Sequence, residues 1–324
     1  MREVAVATIG FFDGVHLGHR QVIRTLVSRA RSTGREALVI TFWPHPRAVL
    51  QQDARELRLL TTLQEKKQLL QSLGVDRVEV IPFTRKLASL TAQRFVDEVL
   101  VSKFGVEALV AGYDNRIGSD NRPVNSLTGI DILPVSEYIH SQTVGCADPS
   151  HKWAPPSYTA EGGHGFENKS TLRPDVDSTP HISSTVIRKT LEEGKVEVAA
   201  ELLGYNYKMQ GVVVAGNRLG RTLGYPTANM RLYEPLKLVP GDGVYAVDVE
   251  ALGRQYRGMT NIGTRPTVGG QSVTVETHIL DFDEDIYGLP LTIRFRRRVR
   301  DEIHFSSLDA LKAQLALDAL NCKK

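Results

Sequence analysis

The periodicity of the chain changes near residue 205, and that change limits the fold more than any single motif. Before it, apolar runs of strand length alternate with segments of helical spacing. Residues 4–9, 37–42, 77–81, 108–111 and 130–135 read as strands. Residues 20–30 place Val22, Ile23, Leu26, Val27 and Ala30 on one helical face, and 64–73 and 92–104 also read as helices. This order predicts an α/β Rossmann-like domain, a parallel sheet covered by helices with ligands at the carboxyl ends of its strands. After it, residues 209–215, 243–250, 273–280 and 291–299 are β-branched runs separated by glycine turns. One amphipathic helix with Leu308, Leu311, Leu315 and Leu320 closes the chain. The second half therefore predicts a small antiparallel β-barrel domain with a C-terminal helix. A helix over 184–204 bridges the two, and 324 residues suit two domains, placed at 1–204 and 205–324.

Between 136 and 180 the periodicity disappears into Gly, Pro, Ser, Thr and His, which predicts a flexible surface insertion. His140, Cys146, His151 and His164 lie there at spacings that match no zinc pattern. The two cysteines, Cys146 and Cys322, sit in polar surroundings and build neither a disulfide framework nor a CxxC site. Together with the lack of a leader-like or membrane-length apolar run, they lead us to expect a soluble cytoplasmic protein without a membrane partner. Net charge is +3, with 40 Lys+Arg against 37 Asp+Glu, so no nucleic-acid partner is implied. The densest basic run, Arg294, Arg296, Arg297, Arg298 and Arg300, reads as a strand with a solvated outer face.

The first strand feeds into Gly10-Phe11-Phe12-Asp13-Gly14-Val15-His16-Leu17-Gly18-His19, with a helical pattern directly behind it. A strand, a glycine turn and a helix start make an anion site, because free N–H groups and the positive end of the helix dipole face the ligand. No Gly-Lys-Ser/Thr follows, so it is not a Walker A loop. His16 and His19 add donors for a polyphosphate. Farther on, Ser183, Ser184 and Thr185 can cap the helix that follows, and Arg188 lies one turn along with a charge for a phosphate.

His16-Leu17-Gly18-His19 resembles the HxGH signature of the nucleotidyltransferase superfamily, and Ile182-Ser183-Ser184-Thr185-Val186-Ile187-Arg188 its ISSTxIR signature. Gly220-Arg221-Thr222-Leu223-Gly224-Tyr225-Pro226-Thr227-Ala228-Asn229 resembles the GRTLG(Y/F)PTAN stretch of riboflavin kinases. Asn261-Ile262-Gly263-Thr264-Arg265-Pro266-Thr267 and Glu276-Thr277-His278-Ile279-Leu280-Asp281-Phe282 resemble two further riboflavin kinase segments. In this order, across nearly all of the chain, the motifs are similar to those of prokaryotic bifunctional riboflavin kinase/FAD synthetases.

The resemblance implies two ATP-using activities, riboflavin to FMN and then FMN to FAD with release of pyrophosphate. It implies Glu276 as the base for the ribityl hydroxyl, with Thr227 and Asn229 holding Mg²⁺ (or Mn²⁺) and the ATP phosphates. Gly220 and Arg221 belong to a flap over those phosphates, and Arg300 and Glu302 to a flavin-side segment. In the first half it implies His16 and His19 as stabilisers of the transferring phosphates, and Gly10, Phe12, Asp13, Gly14, Gly18, Ser183, Ser184, Thr185 and Arg188 as the nucleotide site. It also implies that the 42–47 segment lies near the flavin phosphate and that Asp114 contacts the flavin. The substrates expected are riboflavin, FMN and ATP, on a monomer or weak homo-oligomer. A second reading keeps the kinase and makes the first half a nucleotide-binding module, because the 136–180 insertion sits directly before Ile182.

Overall fold

Ala5, Ala7, Leu38 and Ile40 lie in one buried apolar cluster, while Val6, Ala37 and Val39 lie in another. Alternate side chains of a strand point to opposite faces, so these runs belong to a sheet covered on both sides. The computed structural model describes residues 4–50, 57–112, 115–136, 182–216, 219–267 and 270–323. It forms that sheet from β1 (Ala5–Ile9), β2 (Glu36–Trp43), β3 (Arg77–Pro82) and β4 (Val106–Gly112), with β5 (Arg116–Ile117) and β6 (Arg122–Pro123) as a separate small pair and β7 (Asp131–Val135) completing it. The order is β3-β2-β1-β4-β7 and every neighbour pair is parallel. The order reverses at β1, so the crevice beyond its carboxyl end is the ligand position for such a sheet. The turn of Gly10 to His16 stands there.

Helix α1 (Leu17–Ser32) buries Ile23, Leu26 and Ala30 against the Val6 face. A short α2 (Pro46–Leu50) follows β2, and α3 (Leu63–Ser72) adds Leu70 to the same face. Past another short helix, α4 (Arg85–Ala88), the opposite face is covered by α5 (Ala92–Phe95) and the π-helix Val96–Val101. The single helix expected over 92–104 thus changes its winding. The Asp97 carbonyl accepts both the N–H and the hydroxyl of Ser102, which holds the wider turn.

The bridging helix expected over 184–204 is two helices, α6 (Ser184–Glu192) and α7 (Val196–Leu203). Gly194 breaks it with φ +73°, and a Cβ there would meet the Tyr245 hydroxyl at 2.7 Å. The break lets the barrel close onto the helices. The guanidinium of Arg298 donates to the carbonyls of Glu193 (3.1 Å) and Asp242 (2.6 Å), and the Arg298 backbone N–H donates to the Glu197 carboxylate.

A closed six-stranded antiparallel barrel follows, ordered β10-β11-β12-β9-β8-β13. Its strands are β8 (Lys208–Val214), β9 (Ala228–Leu232), β10 (Gly243–Ala251), β11 (Arg254–Thr267), β12 (Gly270–Ile279) and β13 (Pro290–Arg300). A one-turn α8 (Leu219–Thr222) precedes β9, and α9 (Leu308–Lys323) closes the chain. The barrel interior holds Tyr207, Tyr245 and Phe295, and a buried hydroxyl pair between Thr260 and Thr277 at 2.8 Å. β9 and β11 were not expected as strands.

Two expectations about polarity need correction. Cys322 is not in polar surroundings but fully buried with Ala246, Met259 and Leu280. The basic run is not a simply solvated face: Arg294 pairs with Glu250 (2.9 Å), Arg300 with buried Asp318 (2.7 Å), and Arg297 donates to the Asn321 carbonyl. Asp114, the insertion over 137–180 and its His140, Cys146, His151 and His164 lie outside the described residues. No helix among the described residues is long and apolar enough to cross a membrane.

Candidate active sites

The turn after β1 is held open by strained backbone and by one carboxylate. Phe12, Gly14 and Val15 all have positive φ (49°, 81° and 39°). At Gly14 a Cβ would also meet Leu60 at 2.9 Å, and at Gly10 the Phe12 ring at 2.9 Å, so both positions exclude larger residues. The Asp13 carboxylate, 3% exposed, accepts the N–H groups of Leu60 and Thr61, the Thr61 hydroxyl and the Arg188 guanidinium (2.6 Å). Such a set offsets the cost of burying the charge. Ser184 donates its hydroxyl to the Asp13 carbonyl (3.0 Å), and Tyr205 donates to the Gly14 carbonyl (2.6 Å). The two sequence signatures, far apart in the chain, therefore meet at Asp13.

His16 is the N-cap of α1 and its Nδ1 accepts the N–H of His19 at 3.4 Å. Gly18 sits in the first turn of α1, where the two imidazoles stack at 3.7 Å. Burial, then the neighbouring His16 and Lys66, hold the His19 imidazole well below its ordinary pKa. His45, edge-on to Phe11 at 3.9 Å, is lowered to about 4, chiefly by burial against the opposing field of Asp13. Both rings are neutral near pH 7. Ser183 caps α6 through the N–H of Val186 (3.3 Å), and Thr185 is exposed on its first turn.

The second site lies on the outer face of the barrel. In register, Glu276 on β12 stands opposite Asn229 on β9 and Asn261 on β11. Facing residues on adjacent strands share a side, so these three form one polar row. The Thr227 hydroxyl points to the Glu276 carboxylate at 3.5 Å. A Cβ on Gly216 would meet the Asn229 amide at 2.2 Å, so glycine there admits that side chain. His278 holds the turn before β9 through the Pro226 carbonyl (2.8 Å).

Two cavities adjoin at Thr227, the first of which also takes in Asn261 and Glu276 of this row. One, of about 330 Å³, runs under α9 and is lined by Thr227, Asn261, Glu276, His278, Glu302 and Leu315 among others. The other, of about 320 Å³, is lined by Arg221, Thr227, Phe282, Asp283 and Ile286 among others. Thr227 borders both, and Gly220 borders the first. The Arg300 guanidinium at the first cavity is committed to Asp318, and Glu302 accepts the Asn261 amide at 3.0 Å.

Lys66, Lys237, Thr61, Tyr205 and Asp318 escaped the sequence reading. Only the 61–66 segment carried a local signal. Thr62 and Glu65 form a capping box at the start of α3, legible as Thr-x-x-Glu, which places Lys66 one turn into the helix.

A family model for FAD synthetase matches residues 1–128, and one for riboflavin kinase matches residues 203–324. The bifunctional riboflavin kinase/FMN adenylyltransferase of Escherichia coli (strain K12) is 36% identical over 324 residues, covering 100% of this chain and 93% of that protein. The protein of the same description from Listeria monocytogenes serovar 1/2a is 36% identical over 314 residues, 97% of this chain and 90% of that protein. A crystal structure described as a macrolide-efflux protein from Streptococcus pneumoniae superposes with a TM-score of 0.83 at 30% identity, covering 100% of this chain and 95% of that chain.

Proposed function

The chain belongs to the bifunctional riboflavin kinase/FMN adenylyltransferase family, and from that premise we propose how its residues carry the two reactions. It is an enzyme that phosphorylates riboflavin to FMN and adenylylates FMN to FAD, with ATP as co-substrate in both steps. We assign adenylylation to residues 1–204 and phosphorylation to residues 205–324.

In the barrel, riboflavin enters the cavity under α9 and ATP the cavity bordered by Arg221. Their reacting ends meet at Thr227, which borders both, and this shared border carries the assignment. The ribityl hydroxyl oxygen forms a bond to the γ-phosphorus as the bond from that phosphorus to the β-phosphate oxygen breaks. The proton passes to Glu276 and ADP departs. Arg221 bears on the ATP phosphates, Gly220 stands next to it at the edge of the first cavity, and Arg300 and Glu302 act from the flavin side. Thr227, Asn229 and Glu276 can each offer a side-chain oxygen, which suits a hard divalent cation. Among the described residues no group of three or more His, Cys, Asp or Glu could hold a metal. Thr227 and Asn229 would hold Mg²⁺ (or Mn²⁺), which would neutralise phosphate charge.

In the α/β half, an FMN phosphate oxygen forms a bond to the α-phosphorus of ATP. The bond from that phosphorus to the bridging oxygen breaks, and its electron pair leaves with pyrophosphate. His16 and His19 donate hydrogen bonds to the phosphates, and Arg188 adds charge beside Asp13. Gly10, Phe12, Asp13, Gly14 and Gly18 shape the turn, while Ser183, Ser184 and Thr185 present the start of α6. Positioning and electrostatics carry the rate.

The purified chain is given riboflavin, ATP and Mg²⁺, and separately FMN, ATP and Mg²⁺. We expect FMN then FAD in the first case, and FAD with equimolar pyrophosphate in the second. A chain that forms FMN but releases no pyrophosphate would leave the α/β half as a binding module.

A further inference from the structure

We propose that Lys66 is a phosphate-contact residue of the adenylylation site, its ammonium group meeting a phosphate oxygen of the bound substrates as the adenylyl group transfers. The proposal rests on the assignment of adenylylation to the α/β half.

Lys66 is 1% exposed, yet its Nζ makes no hydrogen bond. The contrast with Lys237 is instructive. Lys237 is equally buried, and its ammonium donates to the Leu60 carbonyl and the Glu65 carboxylate, both at 2.7 Å. Adjacent residues of α3 thus treat charge differently: Glu65 faces a partner, and Lys66 faces the turn after β1. Its Nζ lies over the Phe11 ring at 3.8 Å, and that ring meets His45 edge-on. A ring face attracts a cation but leaves its N–H donors unused.

The titratable groups facing Lys66 come from three elements: Asp13 in the turn, His19 on α1 and His45 after β2. Asp13 raises the lysine's proton affinity through space, while its own oxygens are taken by Leu60, Thr61 and Arg188. His19 and His45 are neutral near pH 7. A buried ammonium without a contacting anion is costly, and an apolar side chain would fill the position without that cost. The arrangement fits a group whose partner is a phosphate oxygen. As the bond between the α-phosphorus and the bridging oxygen breaks, negative charge moves onto pyrophosphate. A fixed ammonium in a site of low dielectric opposes little reorganisation and stabilises that charge.

The full-length chain is compared with Lys66→Met and Lys66→Arg, following FAD formation from FMN and ATP. FMN formation from riboflavin on the same samples serves as the internal control. For Lys66→Met we expect kcat/KM for adenylylation to fall on the order of 10²–10³-fold. Kinase activity should be unchanged and the thermal midpoint unchanged or higher, whereas a purely structural lysine would give neither pattern. Lys66→Arg should restore part of the activity. Burial, against the field of Asp13, lowers the Lys66 pKa to about 8. The wild-type kcat/KM for adenylylation should therefore fall as pH rises through about 8, and the Lys66→Arg profile should stay flat there. Varying ATP at saturating FMN, and the reverse, tells whether the nucleotide or the flavin phosphate meets the lysine. Adenylylation within a few-fold of wild type in a folded Lys66→Met chain overturns the proposal. If that variant fails to fold, a wild-type profile without a fall near pH 8 overturns it equally. A wild-type chain that makes no FAD removes the underlying assignment instead, and the proposal with it.

Discussion

Lys237, in the segment before β10, and Glu65, on α3, form an ion pair at 2.7 Å with both side chains withdrawn from water. The same segment runs beside Leu59 in a two-sided backbone contact, with Leu59 donating to Leu236 and Leu238 donating to Leu59. The barrel half thereby grips the strip of residues that holds Asp13. Replacing Lys237 with Met leaves the Glu65 carboxylate buried and uncompensated, and should destabilise the chain by about 3–5 kcal/mol. The double variant Lys237→Met/Glu65→Gln should recover much of this, because the Gln carbonyl can still accept the Thr62 N–H. Urea unfolding of the three chains checks it, and equal losses for the single and double variants would discount the pair.

Asp13 is the joint between the two nucleotide-site signatures, and Asp13→Asn tests that joint. The amide nitrogen would face the donors of Leu60, Thr61 or Arg188, where the carboxylate accepts them all. We expect a loss of about 2–4 kcal/mol in stability, from weakened charge-assisted hydrogen bonds. Pyrophosphate release from FMN and ATP should nearly cease, while FMN formation continues. A variant with normal pyrophosphate release would show that the turn tolerates a neutral residue.

The strand, turn and helix around His16 were legible because their determinants are local. Apolar residues flank a glycine turn, and Ser183 offers its own cap. The barrel was legible only in part. β9 and β11 include Asn229, Asn261, Gly258 and Gly263, polar or glycine positions that serve the site or the barrel's close packing and so blur the alternation expected of a strand. Lys66 and Lys237 could not be read as special at all. A buried lysine has the same local signature as an exposed one, and the Glu65 partner of Lys237 lies 172 residues away. The same holds for Asp318, which looks like one more polar position on the closing helix until Arg300 is seen against it. Gly194 was ambiguous for the opposite reason: a glycine inside a helical pattern is tolerated until a close neighbour demands the turn.

Glu276 lines the cavity under α9 beside Thr227, which borders both barrel cavities, and Glu276→Gln removes a proton acceptor while keeping its shape. General-base removal should lower kcat for riboflavin phosphorylation by about 10²–10⁴-fold, with KM values for riboflavin and ATP changing little. Adenylylation of supplied FMN should proceed at the wild-type rate if, as assigned above, it takes place in the α/β half. Steady-state kinetics of both reactions on one preparation would check this. A parallel loss of both activities would argue that the two sites are not separate.

The histidines of the first site make a prediction about pH. Burial, then the nearby His16 and Lys66, lowers the His19 pKa well below 6.5, and His45 lies at about 4. A depressed imidazole is neutral above its pKa and gains its charge only as pH falls through that value. His19 and His45 should therefore show no titration near 6.5, the value of an ordinary histidine, and imidazole NMR between about pH 6 and 7.5 should find both rings already neutral. His19→Ala should abolish adenylylation and spare the kinase. Because Lys66 contributes to the depression, Lys66→Met removes a repelling positive charge and should raise the His19 pKa. Imidazole titration by NMR in the two chains reads that shift directly. A His19 pKa indifferent to the substitution would show that the ammonium charge does not reach the ring, and would separate Lys66 from the histidine pair.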